Sequence, residues 1–403
     1  MNSLWLSHFT AASCLGHGLA PTLAALRAQK SGLVPCAFET VTDLATYIGE
    51  VAGVDEAPLP ASLAEYECRN NRLALLGLRQ DGFSAAIESA IARHGRRRVG
   101  VLLGTSTSGI LQTEQAYRRR GPGCLDSTHG ALPDDFIYRT THNTYSVADF
   151  VRTAFNLEGP AVVVSTACSS SAKVFAAAAR MIAAGLIDAA IVGGVDSLCL
   201  TTLYGFNSLE LLSSTPCRPF DADRNGLSVG EAAAFILLER PADSLDADAV
   251  LLLGTGESSD AHHMSSPHPE GLGARMAMET ALKIAGLQPA DIDYINLHGT
   301  ATPSNDAAEG QAVATLFGRQ VPCSSTKGAT GHTLGAAGGL EAIISALALQ
   351  HGFLPGGVNT RRVDPDISIQ YLTANREDAP RRVLSNSFGF GGTNCSLILG
   401  RAA

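Results

Sequence analysis

The stretch AVVVSTACSSSAKVFAAAARMIAAGLIDAAIVGG, residues 161–194, sets the fold. Its β-branched run Val162 to Val164 reads as a buried strand. Good helix formers fill Ala172 to Ala184, and Gly185 stands where a helix would stop. The apolar run Ala189 to Val192 follows and ends in two glycines. Strand, helix and strand within roughly 30 residues make a βαβ unit. Cys168 falls at the corner between the first strand and the helix, where open α/β sheets place their ligands. A thiol there feels the positive end of the helix dipole and unpaired N–H groups, which favour thiolate. The same N–H groups can hold an oxyanion on a carbonyl under attack. Small neighbours, Ala167 and Ser169 to Ser171, predict an accessible sulfur. A lone cysteine near a turn can equally be a small buried apolar residue, so a nucleophile needs partners elsewhere in the chain.

Apolar residues make up 45% of the 403 and charged residues 17%, a balance that suits a large buried core rather than disorder. No apolar run reaches the roughly 18 residues of a membrane helix. The start MNSLWLSHFT has no basic region ahead of an apolar stretch, so no signal peptide is expected. Nine cysteines without a CxxC pair suggest free thiols in a reducing, cytoplasmic setting. The net charge of −9 argues against nucleic acid as the main partner. Basic residues still cluster, at Arg96 to Arg98, at Arg118, Arg119 and Arg120, and at Arg69 with Arg72. The first cluster reads as a solvated face. The other two are candidate docking points for an acidic partner.

Outward from the opening stretch, Leu4 to Leu6 and Gly100 to Gly104 read as strands, and Leu19 to Ala28, Leu63 to Leu78 and Gly82 to Arg93 as helices. Residues 121–147 show no period and predict a loop-rich segment, a lid or a dimer contact. Phe235 to Leu238 is a further strand. From about residue 245 the alternation begins again, with strands at Val250 to Gly256, Ile292 to Leu297 and Val321 to Ser324, and helices at Ala274 to Ala285 and Gly338 to His351. Asp306 and Glu309 form a D-x-x-E start to a helix running to Phe317. Strands at Val383 to Ser387 and Ser396 to Leu399 close the chain. Residues 161–184 and 321–349 share one pattern, a weak internal repeat that predicts two α/β lobes, 1–245 and 246–403, fused in one body.

Chemistry-bearing residues collect at the predicted strand ends of the second lobe. His298 follows a strand in NLHGTATPSND, 296–306. Lys327 and His332 lie in SSTKGATGHTLGAAGG, 324–339, with Glu341 early in the next helix. An imidazole at a helix N-terminus is disfavoured as imidazolium, so His332 is expected to be a neutral donor. The glycines of NSFGFGGTN, 386–394, permit a tight turn with N–H groups pointing inward. His262, His263 and His268 lack metal-ligand spacing, and no metal is expected there.

Four motifs in order, TACSSS, HGTATPSND, STKGATGHTLGAAGG and NSFGFGGTN, resemble the β-ketoacyl-acyl-carrier-protein synthases, elongating condensing enzymes of the thiolase superfamily. The likeness runs from the N-terminal strand to the closing NCSLILG. It implies a thiolase-like α/β fold, a duplicated βαβαβαββ unit in a five-layered αβαβα core, and usually a dimer, either a homodimer or a heterodimer with a related subunit. It implies that Cys168 takes an acyl chain from an acyl carrier protein, and that His298 and His332 stabilise the enolate left when a malonyl thioester loses CO2. The N–H groups of Cys168 and Phe390 would form the oxyanion hole, with Phe390 as gate to the acyl pocket. Lys327 would orient the site, with Glu309, Glu341, Phe388 and Asn394 in support, and Thr300 and Thr302 would contact the pantetheine arm. No cofactor is implied, since CO2 loss drives the step. Both histidines and the nucleophile are present, unlike in initiating synthases or non-catalytic chain-length partners, and no second cysteine lies within the glycine turn, unlike in thiolases. The expected function is 3-oxoacyl-ACP synthesis in fatty-acid-type elongation. The alternatives are an aryl polyene or polyketide ketosynthase, suggested by STACSSS, and a chain-length-setting subunit.

Overall fold

A computed structural model describes residues 2–41, 43–120 and 132–402. The first lobe contributes β1 (Leu4–Ser13), β2 (Val99–Gly104), β3 (Ala161–Val164), β4 (Ala189–Asp196) and β5 (Ala232–Glu239), side by side in the order β3-β2-β4-β5-β1. Strands β3, β2 and β4 are parallel, β5 is antiparallel to β4, and β1 is antiparallel to β5. The second lobe contributes β6 (Val250–Ser259), β7 (Tyr294–Asn296), β8 (Pro322–Ser324), β9 (Arg382–Gly389) and β10 (Thr393–Arg401), in the order β8-β7-β9-β10-β6. Again the first three are parallel, and β10 and β6 reverse in turn. Strand for strand the plan is the same, so the repeat sensed in the sequence is a duplicated topology. The lobes join where β1 lies antiparallel to β6, with Leu4 opposite Leu252.

The α-helices, in chain order, are α1 (Leu19–Arg27), α2 (Arg69–Leu78), α3 (Phe83–His94), α4 (Ile110–Arg118), α5 (Ser146–Ala154), α6 (Ser170–Ala183), α7 (Leu200–Ser208), α8 (Leu272–Ala285), α9 (Pro303–Phe317), α10 (Lys327–Thr330) and α11 (Ala337–His351). Helices α6 and α11 pack against each other and against strands of both lobes, forming the middle layer. That position explains α11, which is buried on every face from Ala337 to Leu349 and apolar there except for Glu341 and Ser345. Helices α2, α3 and α5 cover the outer face of the first sheet, and α8 and α9 that of the second. Five layers result, as in the thiolase-like arrangement.

Where the sequence and the fold differ, the reasons are local. The single helix expected over Leu63 to Leu78 is a 3₁₀ segment, Ala61–Tyr66, followed by α2, because Glu67 and Cys68 are extended. Strand β1 runs on to Ser13 through Ala11 and Ala12, which are buried despite their small side chains. Helix α9 starts at Pro303, so Asp306 sits within its first turn rather than ahead of it. Of the segment 121–147, residues 121–131 lie outside the described residues, and α5 begins inside its end. Gly185 does end α6, with φ +70 in the left-handed region.

Candidate active site

Cys168 and His298 stand just past the carboxyl ends of strands, while Lys327 and His332 lie in and after the short helix α10 that follows β8, and Phe390 lies in a hairpin turn. Cys168 follows β3 and is presented by a turn in which Ala167 has φ +51, a conformation that a non-glycine residue adopts only under constraint. Gly104 at the end of β2 makes room for this turn, since a Cβ there would meet the backbone N of Ser171 at 2.3 Å. His298 follows β7, and its N–H and that of Gly299 donate to Glu309 at 2.8 Å each. His332 follows α10, its backbone held between Ser228 and Gly230. The hairpin β9–β10 carries Phe390 at its tip, with Gly391 and Gly392 at φ +82 and +77.

These pieces meet in one cleft, lined by Cys168, His298, His332, Phe390, Thr300 and Thr302. His332 Nε2 lies 2.9 Å from Cys168 Sγ. The two imidazoles stand edge to face with centroids 5.3 Å apart, and His298 also packs on Phe388 at 5.8 Å. The sulfur and one nitrogen of each ring lie within 4.8 Å of one another. Among the described residues this is the one group of three ligand-type side chains close enough to share an ion. The Thr300 and Thr302 hydroxyls are 2.8 Å apart at the cleft wall.

Lys327 lies behind the rings and is fully enclosed. Its ammonium donates to the His298 carbonyl at 2.6 Å, to the Glu341 carboxylate, and to His298 Nδ1 at 3.4 Å. An ammonium has only protons to give, so Nδ1 is the acceptor and the hydrogen of His298 sits on Nε2, facing the cleft. Burial, and then the Lys327 charge, hold both imidazoles well below the ordinary histidine range, His298 being depressed further by His332. Both rings are therefore neutral near pH 7. Burial pushes Glu309 and Glu341 up to about 7, against the N–H groups that bond Glu309 and the lysine that bonds Glu341. Asn386 Nδ2 also donates to Glu309, at 3.1 Å.

Two expectations about the sulfur are corrected. Cys168 is buried, with 6% exposure, so small neighbours do not leave it open to solvent. Burial pushes its thiol up to about 11, with the Lys327 charge and the Phe390 N–H pulling the other way. Desolvation outweighs the helix end, and the resting pair is a thiol beside a neutral imidazole.

The basic clusters separate. Arg69 cannot serve as a docking residue: its side chain is buried, donates to Glu231 at 2.6 and 3.0 Å and to Asp55 at 2.5 Å, and lies over the Phe38 ring. Arg72 is drawn back onto Glu67 and the Asp55 carbonyl. Arg118, Arg119 and Arg120 remain at the end of α4, with Arg119 paired to exposed Asp135 at 2.8 Å and Arg120 over the Tyr117 ring.

Two carboxylates with no motif of their own hold the site together. Asp196, at the end of β4, accepts from the Thr105 hydroxyl, the Ser106 and Thr107 N–H groups and the Gly335 N–H, tying the loop after β2 to the turn after His332. Asp260, just past β6, accepts from Asn394 Nδ2 at 2.6 Å and donates its N–H to the Gly392 carbonyl at 2.8 Å. The Gly391 N–H donates to the Met264 carbonyl at 2.8 Å, so the turn bearing Phe390 is gripped from the loop after β6. Asn394, expected to support the site, does so through the turn and not through the rings.

The sequence pattern of the beta-ketoacyl synthase N-terminal domain matches residues 78–244, and that of the C-terminal domain residues 249–361. The chain is 33% identical over 409 residues to 3-oxoacyl-[acyl-carrier-protein] synthase 2 of Coxiella burnetii, covering 96% of each. It is 42% identical over 262 residues to the mitochondrial 3-oxoacyl-[acyl-carrier-protein] synthase of Arabidopsis thaliana, covering 60% of this chain and 57% of the relative. Among solved structures, the ketosynthase ApeO of Xenorhabdus doucetiae, in complex with its chain length factor ApeC, superposes with a TM-score of 0.89 at 40% identity, over 100% of this chain and 98% of that one. With the matching motifs, the duplicated fold and a relative 33% identical over 96% of its length, the chain belongs to the beta-ketoacyl synthase family.

Proposed function

We propose that this protein is a 3-oxoacyl-acyl-carrier-protein synthase, an acyltransferase that joins an acyl chain on Cys168 to the carbanion of a decarboxylating malonyl thioester. The observation that carries the proposal is the convergence of one thiol and two neutral imidazoles in a single buried cleft. The lobe 1–245 supplies the nucleophile and the lobe 246–403 the histidines, lysine and gate. In the first half-reaction the Cys168 sulfur attacks the acyl thioester while its proton passes to His332 Nε2 and on to the departing carrier thiolate. The N–H groups of Cys168 and Phe390 receive the oxyanion. In the second, the Nε2–H of His298 and that of His332 donate to the malonyl thioester carbonyl as CO2 leaves. No partner among the described residues fixes His332 Nδ1, so that ring can accept in one half-reaction and donate in the next. The enolate carbon then attacks the Cys168 thioester carbonyl and the C–S bond breaks, giving the 3-oxoacyl product and a Cys168 thiolate, which takes up one proton from water to return to the resting thiol. Thr300 and Thr302 face the pantetheine arm.

The expected pH dependence follows from the burial of both rings. An imidazole of ordinary pKa is about three-quarters charged at pH 6, and a charged ring could not be poised as two neutral donors require. Because His298 and His332 are held well below that range, malonyl decarboxylation is expected to lose no activity to imidazole protonation between pH 7.5 and 6. A rate that follows a titration near 6.5, and keeps it in Glu309→Gln and Glu341→Gln, which remove the two carboxyls that burial pushes up to about 7, would show the rings to be solvated.

For the partner, Arg118, Arg119 and Arg120 are the docking point for an acidic carrier. Reversing all three to glutamate is expected to lower kcat/KM for carrier-bound substrate about tenfold at low salt, as rim charges act on association, and to leave acyl-pantetheine unaffected. Equal rates with both substrates would remove that patch from docking.

A specialised polyketide or aryl polyene pathway, with a related subunit as partner, is the second proposal. It is favoured by the 40% identity to a ketosynthase solved with its chain length factor, and by β3, an apolar edge strand whose residues are only half-buried. We place the protein in the cytoplasm, in keeping with its free thiols. Among the described residues no helix is long and apolar enough to cross a membrane. Mass spectrometry of products from malonyl-ACP with a panel of fatty-acyl and aryl-enoyl primers tests both proposals. A 3-oxoacyl product from saturated primers supports the first, one from aryl-enoyl primers alone the second, and none from any primer opposes both.

A further inference from the structure

Helix α7 has no cap of its own. Cys199 precedes it in extended conformation and makes no side-chain bond to its first N–H groups. The acceptor comes from another helix: Glu114 of α4 takes the Leu200 N–H at 3.1 Å, the Thr201 N–H at 2.7 Å and the Thr201 hydroxyl at 2.5 Å. A carboxylate there satisfies orphan donors and meets the positive end of the helix. Two residues earlier, Gln112 accepts the Arg69 N–H at the start of α2, at 3.1 Å. One short helix thus anchors the first turns of two others.

What α7 carries gives this a use. Phe206, near its end, has its ring centroid 5.9 Å from that of Phe390, and both rings line the cleft over Cys168. The turn behind Phe390 is gripped by Asp260 and Met264, but within the cleft an aromatic neighbour of Phe390 is Phe206. Helix α4 begins beside the loop that Asp196 holds and ends at Arg118 to Arg120. No step of the acyl chemistry uses Glu114.

We propose that Glu114 is a positioning residue of the acyl gate: by fixing the start of α7 it sets Phe206, and Phe206 holds Phe390 in place over the thiol. This rests on the proposed role of Phe390 as gate. Loss of the carboxylate frees the first turn of α7, so a chain that must pass the ring pair gains access while a small molecule gains little.

The test compares two reagents with one warhead, iodoacetamide and N-octyl iodoacetamide, each followed by the mass of the Cys168 peptide in the full-length protein. Glu114→Ala and Phe206→Ala are each expected to raise the octyl rate relative to the small-reagent rate about fivefold, the size of one lost helix cap. The double variant is expected to add nothing to the larger single effect, because both act on one path. Glu114→Gln keeps an oxygen acceptor and is expected to fall between wild type and alanine, and it answers the question if Glu114→Ala does not fold. A ratio unchanged in the Glu114 variants but raised in Phe206→Ala overturns the role of Glu114 and leaves the gate standing. Equal acceleration of both reagents in Glu114→Ala also overturns it, as general loosening. No change in Phe206→Ala overturns the gate itself.

Discussion

Cys168→Ala is expected to abolish condensation, by at least about 10³-fold, while malonyl thioester decarboxylation stays within about tenfold of wild type. His298→Ala is expected to do the reverse, lowering decarboxylation by about 10²–10³-fold, the effect of losing one oxyanion donor, while Cys168 still takes up an acyl group. The split follows from geometry. The sulfur is needed only where the acyl chain is held, and Nε2–H of His298 points at the cleft because Lys327 occupies its Nδ1 side. Burst acylation and CO2 release, measured separately on each variant, check it. Parallel loss of both steps in both variants would mean that the three side chains act as one unit and that the division of labour is wrong.

Lys327→Met is expected to be the most damaging change outside the reacting groups. Lys327 and Glu341 are both buried and paired, and removing one partner of such a pair costs about 3–5 kcal/mol, here because Glu341 loses its donor and must take up a proton to stay buried. The His298 carbonyl loses its donor in the same stroke. Lys327→Met with Glu341→Gln is then expected to recover most of the thermal stability, since no charge is left unpaired. Decarboxylation is expected to stay depressed, because nothing fixes the His298 tautomer. If activity returned together with stability, Lys327 would be holding the fold and not the ring.

How far the site was legible depended on how far apart its partners lie in the chain. Cys168, His298, Lys327, His332 and Phe390 each announce themselves locally, at a strand end or in a glycine-rich turn. Asp196 could not be found that way, because its partners Thr105 and Gly335 lie 91 and 139 residues away. Asp260 meets Asn394 across 134 residues, and Glu114 meets α7 across 86. Arg69 misled for the same reason. Charge alone marks an arginine as surface, and only the fold brings Glu231 to it, 162 residues on. The state of the thiol also needed the fold. A helix N-terminus can be read from sequence, whereas the burial that outweighs it is a property of two lobes packed together. The duplicated topology was legible because both lobes repeat strand, small-residue corner and Ala-rich helix. The ends of β1, α2 and α9 were not, because alanine, cysteine and proline give little period to follow.

The most direct measurement is peptide mapping after the protein is mixed with an acyl-loaded carrier protein in the absence of malonyl thioester. The mass of one acyl group, on the peptide that contains Cys168 and discharged as a 3-oxoacyl product when malonyl-loaded carrier is added, is the expected result. An acyl group on another residue, or a Cys168 that stays unmodified while product still forms, would contradict the account.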